Sequence, residues 1–166
     1  MFHILVVDDD KNTRRLMQAV LEGDGYTVTT ARDGEEALAV MDREHVDLAV
    51  LDIMMPNMDG YEFTRTLRAA NNELPILMVS AKQLSEDRKK GFLVGTDDYM
   101  TKPVDTDEML LRIKALLRRA KIVSERKIEI GDVVLDYDSL TVSRGKERQE
   151  LPQKEFLLLY KLLSYP

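Results

Sequence analysis

The chain has 166 residues, 44% hydrophobic and 33% charged, with a formal net charge of −6 and no cysteine. This composition excludes a disordered tail and a membrane protein, and the lack of cysteine excludes disulfides, thiolate metal sites and thiol catalysis. Charged Asp8, Asp9 and Asp10 directly follow the first apolar run, and no apolar run approaches the roughly 18 residues of a membrane span, so the sequence reads as cytoplasmic, neither secreted nor membrane-spanning.

Short apolar runs at 2–7 (FHILVV), 26–30 (YTVTT), 47–52 (DLAVLD), 75–80 (PILMVS) and 97–101 (DDYMT) predict five strands. Segments of helical length lie between them. Leu16, Met17, Val20 and Leu21 form one stripe within 12–22, and Ala37, Leu38, Val40 and Met41 repeat it within 34–43. Met109, Leu110, Ile113, Leu116 and Leu117 do so again within 106–119. Strands alternating with helices predict an α/β architecture, a parallel sheet covered on both faces. Gly23 and Gly25 precede a strand, so they read as a helix stop and not as a phosphate cradle; Asp59-Gly60 closes a turn before the third helix.

After Arg119 the pattern changes. Period-two stretches at 127–130, 133–136 and 140–143, separated by turns at Gly131-Asp132, Asp138-Ser139 and Arg144-Gly145, predict a small antiparallel meander, and 153–163 returns to helical spacing. The expected organisation is a first domain at 1–120, a linker at 121–125 and a second segment at 126–166. Charge divides with it: residues 1–120 carry 22 acids against 16 Lys and Arg, whereas 121–166 carry 8 of each. The acidic part should repel nucleic acid.

Placed on the predicted strands, Asp8 and Asp9 end the first, Asp52 the third and Ser80 the fourth, and Lys102 follows the fifth. Open parallel sheets bind ligands outside the carboxyl ends of their strands, so these groups should share one crevice. Clustered carboxylates stay ionised together only around a cation, and hard oxygen ligands without His or Cys select Mg²⁺ or a similar divalent ion. Asp52 ends an apolar strand and is followed by Met-Met-Pro, which makes it the candidate nucleophile for a phosphoryl group. A Mg²⁺-dependent phosphohydrolase would want an acid two residues after that nucleophile to protonate a leaving group; Met54 stands there. A stand-alone domain signalling by protein contact is the remaining alternative.

"ILVVDDD", "DLAVLDIMMPNMDG", "PILMVSA" and "GTDDYMTKP", in this order, resemble the receiver domain of two-component response regulators over residues 2 to about 119. The resemblance implies a flavodoxin-like doubly wound sheet of order 2-1-3-4-5, a sensor histidine kinase as phosphodonor, and Asp52 as phosphoacceptor. It also implies that Asp9, Asp52 and the Met54 carbonyl hold Mg²⁺ directly, with Asp8 acting through water. Ser80 and Lys102 would contact the phosphoryl group, and Tyr99 would be an aromatic switch turning inward from an exposed position. Such a protein is not an enzyme beyond its own phosphotransfer and dephosphorylation.

The 106–119 helix with Arg88, Asp97 and Asp98 resembles the OmpR/PhoB group, whose receivers dimerise on phosphorylation through the fourth helix, fifth strand and fifth helix. This implies cross-subunit pairs Arg88–Glu108, Asp97–Arg112 and Asp98–Arg119 around Phe92 and Leu110. Val104, where an aromatic is usual, and Leu93, where a charge is common, depart from that pattern. Residues 126–166 resemble the start of that group's winged-helix effector domain, truncated before the recognition helix, so promoter DNA is expected to be a partner of the full-length protein and not of this fragment. More loosely, the chain resembles regulators of haem-stress systems.

Overall fold

The computed structural model describes residues 2–81, 89–90, 94–125, 127–137 and 139–164, with the backbone alone at 123–125. Two compact units divide between Leu116 and Leu117.

In the first unit, β1 (His3–Val7), β2 (Thr27–Ala31), β3 (Leu48–Asp52), β4 (Ile76–Ser80) and β5 (Asp98–Thr101) form one parallel sheet of order β2-β1-β3-β4-β5. The predicted order 2-1-3-4-5 is thus the observed one. Every residue of β3 and β4 is buried, because helices cover both faces of a parallel sheet and leave no wet side. Leu5, Val7, Leu51 and Met78 pack on one face with Ala37, Val40, Phe63 and Leu67. Their alternates Ile4, Val6, Val50, Leu77 and Val79 are equally buried.

The helices α1 (Lys11–Gly23), α2 (Gly34–Arg43) and α3 (Gly60–Ala69) each start after an aspartate. The Asp10, Asp33 and Asp59 carboxylates accept the Asn12, Glu36 and Glu62 N–H groups at 3.0, 2.9 and 2.9 Å. Each cap satisfies a donor the helix cannot, worth about 1 kcal/mol. The capped starts follow β1, β2 and β3, so all three helices begin at the carboxyl end of the sheet. The fourth helix of the expected dimer face falls largely on residues outside those described.

Helix α4 (Thr106–Glu125) is longer than expected. Residues 121–125, expected as a linker, are helical and continue α4, and Ile122, 6% exposed, joins the apolar cluster of the second unit. That unit holds β6 (Lys127–Ile130), β7 (Val133–Asp136), β8 (Thr141–Arg144), β9 (Glu147–Glu150) and α5 (Gln153–Ser164). The meander has four strands where three were expected. Leu140 has φ of +53° and belongs to the turn, shifting the third strand one residue on. The cluster centres on Ile122, Ile128, Leu135 and Phe156, with Tyr137 and Tyr160 edge-on to each other at 5.3 Å. Among the described residues no helix is long and apolar enough to cross a membrane.

Candidate phosphoacceptor and metal site

Parallel register builds the site. Val7 lies beside Leu51, Asp52 beside Val79 and Ser80 beside Thr101, so the residues ending each strand form one row. Asp8 follows β1, and its N–H donates to the Ala31 carbonyl at 3.1 Å. The Asp8, Asp9 and Asp52 carboxylates bring one oxygen each within 4.8 Å of the others. Asp8 and Asp52 are 2% and 7% exposed and Ser80 is 1% exposed, while Asp9 lies in solvent. Lys102 follows β5, ahead of a cis bond to Pro103. Its ammonium donates to Asp8 Oδ2 at 2.9 Å and stands 3.5 Å from Asp52 Oδ2. The other Asp8 oxygen accepts the Asp10 N–H at 2.9 Å.

The electrostatics leave charge to spare. Burial pushes the Asp52 carboxyl above its ordinary value, and the Asp8 carboxylate adds to that, with Lys102 pulling the other way. For Lys102, burial opposes the charged form, but its hydrogen bond to Asp8 and the charges of Asp52 and Asp8 outweigh it and raise the ammonium's pKa. One ammonium does not balance three carboxylates. An all-oxygen set that the protein leaves under-neutralised fits a hard divalent cation such as Mg²⁺.

Two further residues, Asn57 and Asp33, escaped the sequence reading, and Gly60 entered it only as part of a turn. Gly60 donates its N–H to the Ile53 carbonyl at 2.9 Å, and a Cβ there would lie 2.5 Å from the Asp52 carbonyl oxygen. Asn57, at φ of +67°, donates to Asp33 Oδ2 at 3.0 Å. Of the sequence's Asp-Gly pairs, those at 33–34 and 59–60 are what mark these places.

Several residues expected at the dimer face have partners within their own chain. Arg112 donates to both Asp98 oxygens, at 2.8 and 2.9 Å, and to Glu108 at 2.8 Å, all within its own chain. Asp97 accepts from Arg68 at 3.0 Å and from the Ile76 N–H at 2.8 Å, so it caps the start of β4. Leu110 is half-buried and Arg119 exposed; Arg88 and Phe92 lie outside the described residues. Tyr99 is 2% exposed, inside the apolar cluster, and not in the exposed starting position expected for the switch. Tyr99 is the register partner of Met78, so its ring shares that residue's face of the sheet and packs in the same apolar cluster.

Comparison with known proteins agrees with this geometry. Residues 4–114 match the response regulator receiver domain. The heme response regulator HssR of Staphylococcus epidermidis is 38% identical over 166 residues, which are all of this chain and 74% of that protein. The response regulator MprA of Mycobacterium ulcerans is 40% identical over 168 residues, 98% of this chain and 72% of its own. Among solved structures, the receiver domain of the Francisella response regulator 1452 superposes with a TM-score of 0.70 at 36% identity, covering 72% of this chain and 99% of that one. A sheet of order 2-1-3-4-5 with its acids at the strand ends, and relatives of this extent, place the chain in the response regulator family, in its OmpR/PhoB group, with a receiver domain at its amino end.

Proposed function

We propose that Asp52 accepts a phosphoryl group from the phosphohistidine of a sensor kinase, and that the phosphorylated protein pairs with a second copy to regulate transcription. The observation carrying this reading is the convergence of Asp8, Asp9 and Asp52 at one crevice with Lys102 between two of them. An Asp52 oxygen attacks the phosphorus as the P–N bond breaks; the electron pair leaves with the imidazole, which regains a proton from water. When bound by the Asp9 and Asp52 carboxylates and the Met54 carbonyl, with Asp8 acting through water, Mg²⁺ supplies charge neutralisation for the transferred oxygens. The Lys102 ammonium faces the same oxygens, and the Ser80 hydroxyl donates to one of them.

Tyr99 is already packed inward, so phosphorylation would hold that orientation in place by shifting a population. Pairing through β5 and α4 would exchange the Arg112, Asp98 and Glu108 contacts within a chain for contacts between chains. Such exchange adds register more than affinity, since exposed pairs are worth ~0–1 kcal/mol each. The four-stranded sheet and α5 fit part of a winged-helix effector domain, whose role would be promoter recognition.

Acetyl phosphate with Mg²⁺ should add one phosphoryl group by mass, and Asp52→Asn should abolish it; incorporation surviving in that variant overturns the assignment. Beryllofluoride should shift the protein toward a dimer on size exclusion, and an unchanged elution volume overturns the dimer.

A further inference from the structure

The segment between β3 and α3, residues 53–59, has no helix or strand to hold it, yet it leaves directly from Asp52 and carries Met54, 59% exposed. Beyond the Met58 N–H to Pro56 carbonyl bond at 2.8 Å and the closing Gly60 N–H to Ile53 carbonyl bond at 2.9 Å, it is held from outside. Three observations point to the start of α2. The Asn57 side-chain amide donates to Asp33 Oδ2 at 3.0 Å across 24 residues of chain. The Gly34 N–H donates to the Met58 carbonyl at 3.2 Å. Met58 also lies so close to Gly34 that an added Cβ would meet its Cγ at 2.7 Å and its carbonyl oxygen at 2.9 Å.

The carboxylate of Asp33 divides its work. One oxygen caps α2 through the Glu36 N–H at 2.9 Å, and the other receives Asn57. Those contacts, Glu36 first and Asn57 second, hold the carboxyl below its ordinary range, and the residue is 5% exposed. An Asx cap needs only one oxygen, so the second is available for another task. Asn57 suits the opposite end, because its φ of +67° lies in the left-handed region that Asn tolerates better than most side chains.

We propose that Asp33 and Asn57 form a positioning latch that holds the 53–59 segment, and with it the Met54 carbonyl, in register for Mg²⁺ at the acidic crevice. Neither residue touches the ion; both act through the loop, as outer-shell groups orient ligands elsewhere. The inference rests on the Mg²⁺ reading given above.

The test is calorimetric titration of the unphosphorylated protein with Mg²⁺ alone, well below the melting temperature. Asn57→Gly removes the amide while easing the positive φ, and without changing charge. It should weaken Mg²⁺ binding roughly tenfold, the low end of outer-shell effects. The exchanged pair Asp33→Asn with Asn57→Asp keeps the net charge and the cap and reverses the donor and acceptor; it should bring affinity back to within about twofold of the parent, a small step on the same outer-shell scale. A purely structural contact would lower the melting temperature of Asn57→Gly and leave its affinity alone, which overturns the latch. Failure of the exchanged pair to recover affinity overturns it as well, because the pairing itself would then be irrelevant. If the parent protein binds no Mg²⁺ at millimolar concentration, the metal reading falls first and takes the latch with it.

Discussion

Replacing Gly60 with alanine tests how tightly the phosphoacceptor strand is tied to the helix that follows it. An ideal Cβ at this position lies 2.5 Å from the Asp52 carbonyl oxygen, 3.0 Å from Ile53 Cα and 3.2 Å from the Asp52 carbonyl carbon. Carbon and its neighbours sit comfortably at about 3.5 Å, so the two backbones must part by roughly 1 Å. All three atoms are main chain and cannot rotate away. Overpacking of this kind costs about 1–3 kcal/mol, against which alanine's better helix propensity returns no more than about 1 kcal/mol. The displacement also exceeds the ~0.5 Å within which a reactive group must be held, and ~1 Å of misplacement costs up to ~100-fold in rate. Urea denaturation and the initial rate of phosphorylation by acetyl phosphate, followed on a phosphate-affinity gel, measure the two effects. The control is Gly23→Ala: it lies in α1 with nothing within 4 Å of the added Cβ. This change should be neutral or stabilising by up to about 1 kcal/mol, with an unchanged rate. A Gly60→Ala protein with the parent's midpoint and rate would refute the reasoning.

The raised pKa of Asp52 makes a second expectation. Its folded value lies above the ordinary 3.8, so its ionised form costs stability at neutral pH, and that cost fades as pH falls through the folded value. Asp52→Asn should therefore raise the melting temperature at pH ~7 in chelating buffer, with a gain that vanishes below about pH 4; a gain persisting in acid counts against it. Phe156 is fully buried in the small cluster of the second unit, and Phe156→Ala should cost about 3–5 kcal/mol there. Hydrogen exchange should show lost protection over 127–164, and unchanged protection would contradict the packing. Met54 is the exposed methionine among the described residues, with the others buried or half-buried. Limiting hydrogen peroxide should convert it to the sulfoxide first by peptide mass spectrometry, and preferential oxidation of Met17 or Met78 would argue against its exposure.

How much the sequence disclosed depends on whether a residue's role is carried by period or by pairing. The wholly apolar runs of β1, β3 and β4 announce buried parallel strands, and once that topology is granted, the acids at their ends have only one crevice to share. Strand β9, Glu-Arg-Gln-Glu, offers no apolar alternation and was invisible; the ladder to β8 makes it a strand. Residues 121–125 read as a linker because the apolar stripe of α4 stops at Leu117; Ile122 lies on about the opposite side of the helix and packs in the other cluster. The contact of Asp33 with Asn57 joins two loops through side chains, and no local pattern encodes it. The same is true of Arg112, which sequence matching paired with Asp97 of another chain and the structure pairs with Asp98 of its own.

The polar make-up that hid β9 has a use of its own. The strand lies at the outer edge of its sheet, and Glu147, Arg148, Gln149 and Glu150 are all exposed. An open edge invites further extended chains to add themselves, and fibril growth begins with such additions. A strand arriving here could satisfy main-chain groups but would find no apolar side chain beside it, and any oily residue it brought would stay wet. This edge thereby carries its own stop against polymerisation, written in four side chains that contribute nothing to the core.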